Sequence, residues 1–219
     1  MLLTTAYLPP AAWFALLARD MTLSADRVSP SVAFLEACET YQKQSYRNRC
    51  LILAGDGVQM LQVPVVHAGP MDIRTLQVDW STPWLVRTQR ALDAAYYRAA
   101  FFEHYRDGLY AVMDERPALL WDWNLSLVRY LLDQTGIACD LRETTEFVVP
   151  AADAPLPDDF RYAIHPKRPC TVLQDLGLDR PYHQVFSDRF GFTPGLSVVD
   201  LLFNEGPGSI LWLKRLYAK

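Results

Sequence analysis

Apolar positions recur along this chain with two different periods, and the change comes near residue 80. Before it, short strand-like runs dominate. Leu2 to Tyr7 reads as a buried strand, ended by Leu8-Pro9-Pro10 because proline has no N–H to give a ladder. Ala11 to Ala18 is rich in helix formers and places Trp13, Leu16 and Leu17 on one face. Met21 to Pro30 is polar and turn-like, and Val32 to Glu36 is a second strand. Tyr46 to Leu53 and Val58 to Val66 favour strand residues on both sides of Ala54-Gly55-Asp56-Gly57, so a β-hairpin is predicted there. Ile73 to Val78 is a further strand.

From Ser81 to Gln134 the spacing is helical and predicts three segments: Pro83 to Arg98, Phe101 to Asp114 and Ala118 to Gln134. Ser81 or Thr82 suits an N-cap, and Gly136 suits a C-terminal stop. Phe147 to Val149 is short enough for a strand, and AADAPLP (151–157) is a loop by composition. Leu196 to Phe203 and Ser209 to Tyr217 predict two short helices separated by Gly206-Pro207-Gly208. Strands first and helices later favour a mixed α/β (α+β) fold over a strictly alternating parallel sheet. With 219 residues and no internal repeat, one domain over 1–219 is expected.

Composition narrows the function more by exclusion than by assertion. Hydrophobic residues make up 51% and charged residues 21%, so a large core can form. The net charge of −4 lacks the basic excess of a duplex nucleic-acid binder, so any bound anion has to be met by a local cluster. No apolar run approaches the ~20 residues that cross a bilayer. Met1 to Ala18 has no basic n-region, and Pro9-Pro10 interrupts its apolar run. Cys38, Cys50, Cys139 and Cys170 show neither metal-knuckle nor CxxC spacing. Reduced thiols in a cytoplasmic protein are therefore expected, with no metal and no cofactor; a homo-oligomer is compatible with the sequence. The glycine-rich phosphate loops, the GxSxG elbow and HExxH are missing as well.

The densest unusual segment is TYQKQSYRNRC, Thr40 to Cys50, which holds Lys43, Arg47 and Arg49 and no acid. Were Tyr46 to Leu53 a strand, Arg47 and Arg49 would share one face, about 7 Å apart, with Tyr46, Asn48 and Cys50 on the other. Two such guanidiniums can clamp a phosphate or carboxylate, and Lys43 adds a point charge. The competing reading pairs these arginines with some of the 25 acids on a solvated face. His67 follows the second hairpin arm, and its ordinary pKa near neutrality makes it the candidate general base. His165 and His183 flank a loop containing Lys167 and Arg168. The tryptophans at 84 and 121 suit helix anchors. Asp200 sits among apolar residues in SVVDLLFN, where a carboxyl has to find a partner or bear the cost of desolvation.

Taken together these motifs resemble the WbqC-like protein family. TAYLPPAAWF (5–14) looks like its opening segment and YQKQSYRNRC (41–50) like its basic, Arg-Asn-Arg hallmark. LQVPV (61–65) is similar to the partner strand, and Trp84 with AYYRAAFFEHY (95–105) to the helical middle. YHQVF (182–186) and GLSVVDLLFNEGP (195–207) resemble the C-terminal signature. Thr5 and Ala6 stand where the family often has Gln-Pro. The segment from Phe147 to Pro181 is short and proline-rich for the family, so a substrate-contacting element there is either lost or replaced by RYAIHPKR (161–168). The resemblance implies a role in bacterial surface-polysaccharide (O-antigen-type) biosynthesis, transferring a glycyl, other aminoacyl or acyl group to a nucleotide-linked amino sugar. In that reading Lys43, Arg47 and Arg49 hold phosphates, Tyr7, Tyr46, Asn48, Tyr182 and Asp200 line the substrate, and His67 is the base. The alternative is a non-catalytic protein that binds a small anion or a partner.

Overall fold

A computed structural model describes residues 1–23, 28–66, 69–149, 158–178 and 180–214. Strand β1 (Leu2–Leu3) leads into helix α1 (Ala11–Asp20), and a small antiparallel pair, β2 (Thr22–Leu23) with β3 (Val28–Ser29), turns the chain into β4 (Ser31–Leu35). β1 and β4 pair in parallel, with Leu2 opposite Phe34 and Leu3 opposite Leu35. The expected run to Tyr7 stops as a strand at Leu3 because its partner is used up: the Glu36 N–H closes on the Leu3 carbonyl as β4 ends. Helix α1 is buried at every position from Ala11 to Ala18, so it is a core helix and not the one-faced helix the spacing suggested.

The hairpin forms with shorter arms than predicted. β5 (Arg49–Ala54) pairs antiparallel with β6 (Gly57–Gln62) around Gly55-Asp56, and Gly57 sits at φ 121°, a backbone that side-chained residues rarely adopt. Tyr46, Arg47 and Asn48 precede β5 and are not in the ladder. Pro64, which has no N–H, separates β6 from β7 (Val65–Val66). The strand expected at Ile73 to Val78 divides into a 3₁₀ turn, Ile73–Thr75, capped by the Asp72 carboxylate accepting from the Arg74 N–H, and β8 (Gln77–Val78), which pairs with β7.

Three helices follow: α2 (Trp84–Tyr96), α3 (Phe102–Asp114) and α4 (Leu120–Thr135). Helix α2 begins at Trp84 without a side-chain cap, since Pro83 stands at the cap position and has no side-chain acceptor. Gly136 ends α4 in the left-handed conformation (φ 72°), and the Ile137 N–H reaches back to the Leu132 carbonyl. β9 (Cys139–Glu143), which the sequence reading passed over, completes a parallel sheet in the order β1-β4-β9. Phe147 to Val149 is not a strand. The Val148 N–H donates instead to Glu36 Oε2, and Arg161 lies over the Phe147 ring.

The short helices α5 (Val172–Asp175) and α6 (Ser187–Phe190) lead to α7 (Val198–Glu205) and α8 (Ser209–Leu213), joined by a 3₁₀ turn at Gly206–Gly208. The loop at 151–157 and the last residues of the expected C-terminal helix lie outside the described residues. One continuous apolar core runs through α1, the hairpin and α2 to α4, with Trp123 fully buried at its centre. There Trp123 stacks on Tyr7 at 5.3 Å and meets Trp80 and Trp84 edge-on. Among the described residues no helix is long and apolar enough to cross a membrane.

Gly206 lies at φ 54°, and a Cβ there would stand 2.5 Å from the Phe101 ring. Gly206→Ala is therefore expected to cost about 2–4 kcal/mol, from backbone strain plus overpacking, as measured by urea unfolding.

Candidate functional site

The loop from Thr40 to Asn48 separates two hollows, and its shape follows from what it buries. Arg47 is 3% exposed and cannot stay charged there without a partner. It finds one in Glu39, equally buried: Arg47 Nε donates to Glu39 Oε1 at 2.7 Å, and Nη2 donates to Oε2 in a second bond. Burial nevertheless raises the Glu39 carboxyl above its ordinary range, with the Arg47 hydrogen bonds opposing that shift. The backbone is held as firmly. The Tyr46 carbonyl accepts from the Tyr7 N–H at 2.8 Å, the Arg47 carbonyl from Asn124 Nδ2 at 2.8 Å, and Asn48 Nδ2 donates to the Val63 carbonyl at 2.8 Å.

This arrangement corrects the expected twin-arginine clamp. Arg47 points inward and is neutralised within the protein, because it precedes β5 and does not share the strand's alternation with Arg49. Arg49, the first residue of β5, is half-buried and makes no ion pair among the described residues. It lines a groove of about 350 Å³ with Lys43, Asn48, Gln44, Tyr41 and Gln62. Asn48 is 1% exposed, and neither its Oδ1 nor Arg49 Nε has a hydrogen-bond partner among the described residues. Of the residues singled out in the sequence, the structure brings Lys43, Asn48 and Arg49 together at this groove.

Tyr46 lies on the other side of the loop, where it lines a cavity of about 460 Å³ with His165, Arg168 and Cys170. Burial, and then the nearby Cys170 and Cys50, push the Tyr46 phenol up to about 12, so it stays protonated at neutral pH. The RYAIHPKR stretch thus contributes one wall. Sequence reasoning noted His165 and Arg168 as neighbours in a loop, but nothing in the spacing announced that they would face Tyr46, more than a hundred residues earlier.

The remaining residues stand apart. Tyr7 is fully buried against Trp123 with its hydroxyl unpartnered among the described residues, and burial raises its phenol well above the ordinary value. Tyr182 and Asp200 belong to a separate buried network. Asp200 Oδ1 accepts from the Tyr96 hydroxyl at 2.8 Å, and Oδ2 accepts from the Tyr182 hydroxyl at 2.7 Å and Gln184 Nε2 at 3.0 Å. The network joins α2, the 182–184 segment and α7. Its position in the core makes it a structural tie. His67 lies outside the described residues. Among the described residues no cluster of three or more His, Cys, Asp or Glu could hold a metal ion.

Two substitutions test these roles. Arg47→Met leaves Glu39 buried without its partner and is expected to cost about 3–5 kcal/mol in denaturant unfolding, most of it recovered by adding Glu39→Leu. At Asp200, burial raises the carboxyl pKa above its ordinary value while the three donors oppose the shift. A raised folded-state pKa means that the stabilising contribution is complete at low pH and is lost as pH rises through that pKa. Tyr182→Phe removes a donor to the charged form and lifts the pKa further. Its cost, about 1.5–3 kcal/mol at neutral pH, is expected to shrink toward about pH 4 in thermal or urea unfolding.

Comparison with known proteins agrees with the motif reading. The WbqC-like protein family matches residues 6–160, which include the buried Tyr7, the whole Thr40–Asn48 loop and the hairpin. A Mycobacterium tuberculosis (strain ATCC 25618 / H37Rv) protein described as uncharacterized protein Rv1507c is 28% identical over 196 residues, covering 76% of this chain and 80% of the relative. No solved structure matches the chain. With the match running over most of the chain and carrying the loop that shapes both hollows, the protein belongs to the WbqC-like protein family.

Proposed function

We propose that the groove at Lys43, Asn48 and Arg49 binds a small anionic ligand of the nucleotide-linked sugar class. The protein would act there as a transferase of surface-polysaccharide biosynthesis, moving a glycyl, other aminoacyl or acyl group to an amino sugar. The observation that carries this reading is Arg49. It is a half-buried guanidinium beside a lysine, with no carboxylate paired to it among the described residues, in a protein whose net charge is −4. Elsewhere the fold does neutralise its buried arginines, Arg47 with Glu39 and Arg161 with Glu36 and Asp159. A cation left unmatched in a groove is a place where an anion replaces water at low cost.

In this reading the diphosphate lies between Lys43 and Arg49, and the unpartnered Asn48 Oδ1 accepts from a ligand hydroxyl or amide. Val65 lines the groove and His67 follows it by two residues in the chain, so His67 is the proposed base for the attacking amine. The transfer forms an amide bond between the sugar nitrogen and the acyl carbon, releases the donor's leaving group and sends the amine proton to the base.

A second reading, non-catalytic anion binding, is favoured by the loss of Arg47 from the cationic set, which leaves two cations where three were expected. Both readings require the groove to bind. A nucleotide sugar or pyrophosphate at about 100 times its Kd adds ~2.7 kcal/mol, enough to raise Tm by several degrees in a chain of this size. The expected outcome is a shift of that size that weakens with added salt and disappears in Lys43→Ala/Arg49→Ala. An undiminished shift in the double variant removes the groove from consideration. If wild type binds, mass spectrometry of an acceptor amino sugar incubated with activated acyl donors separates the transferase from the binder.

A further inference from the structure

We propose that the cavity behind Tyr46 is a second ligand site, built for a compact molecule with an apolar body and a single carboxylate. The inference stands on the cavity itself and does not depend on what the Lys43–Arg49 groove binds. Its volume of about 460 Å³ falls within the range of small-molecule sites, and most of its wall is apolar: Leu51, Ile164, Leu173, Leu178 and Phe192.

The polar groups are few and chemically consistent. Arg168 makes no ion pair among the described residues, and its flat guanidinium matches one planar carboxylate through two parallel hydrogen bonds. His165 Nδ1 accepts from the Lys167 backbone N–H at 3.1 Å, which assigns the neutral ring's proton to Nε2. Burial, then Arg168, Arg47 and Lys167, hold that ring below its ordinary pKa, so near neutral pH it is an N–H donor carrying no charge. The Tyr46 phenol stays protonated and is a further donor. Lys167 is turned away, its ammonium donating to Gln44 Oε1 on the groove side of the loop. The set is therefore one cation with neutral donors, which suits a monoanion better than a phosphate dianion.

Cys170 supplies the readout, because it lines the same cavity and its residue is exposed to solvent. The test uses the full chain, with iodoacetamide alkylation of each cysteine followed by peptide mass spectrometry, and phenylbutyrate as the probe. Phenylbutyramide (same body, no charge) and acetate (same charge, no body) are the comparators, and calorimetric titration of phenylbutyrate gives its Kd. Saturating phenylbutyrate is expected to slow Cys170 alkylation about fivefold or more while the rates at Cys38 and Cys139 stay constant, with either comparator nearly inert. Arg168→Gln, a change at an exposed residue that leaves the core untouched, is expected to weaken binding about fivefold. Absence of binding overturns the proposal, as does binding that leaves Cys170 unprotected. Equal protection by the amide, or an unchanged Kd in Arg168→Gln, overturns the carboxylate assignment.

Discussion

A guanidinium taken out of water must be met by a carboxylate, and in this protein that requirement shapes everything near the candidate site. Arg47 can be buried only because Glu39 comes with it, and their two hydrogen bonds close the Thr40–Asn48 loop on itself. The pair is not a large source of net stability, since burial costs both ions much of what their attraction returns. Its effect is positional. With Arg47 drawn inward, Lys43 and Arg49 are left on one side of the loop and Tyr46 on the other, and the backbone bonds to Tyr7 and Asn124 hold that division against the core.

The same logic recurs at two other places. Glu36, fully buried, accepts from the Thr144 hydroxyl, the Cys38 and Val148 N–H groups and Arg161, and so ties the end of β4 to the chain after β9 and to the RYAIHPKR stretch. Asp200 does so with hydroxyl and amide donors, joining α2 to α7. Three buried carboxylates are thus satisfied within the protein, and two of them, Glu39 and Glu36, hold segments that frame the hollows. Lys43, Arg49 and Arg168, which make no ion pair among the described residues, each line a groove or cavity. Cations placed in hollows without an ion pair, beside buried arginines that have one, are the physical basis for reading both hollows as ligand sites.

The two hollows share the loop without sharing its residues. Gln44, in a left-handed conformation at φ 60°, lines the groove and accepts from Lys167, which belongs to the stretch walling the cavity. The cavity holds one arginine among neutral donors and the groove holds a lysine and an arginine, so the two proposed sites differ in charge.

What could be read directly from the chain was whatever depends on neighbours in sequence. The helices from Trp84 to Thr135 follow from 3.6-residue spacing, the Gly136 stop from a left-handed backbone that glycine tolerates, and the hairpin from two strand-forming arms around Gly55-Asp56. The need for a partner at Asp200 was legible from a carboxyl among apolar residues. The Arg-Asn-Arg motif likewise located the loop. Tertiary structure decided which arginine faces out, because Glu39, one residue before the basic segment, became Arg47's partner only when the chain folded back. It also decided that Cys139–Glu143 is a strand, a segment whose identity rests on pairing with β4 and not on its own weak alternation. The cavity of Tyr46, His165 and Arg168 was beyond local reading for the same reason: contacts between residues more than a hundred positions apart carry no periodic signal in sequence, and arise only from how the elements pack.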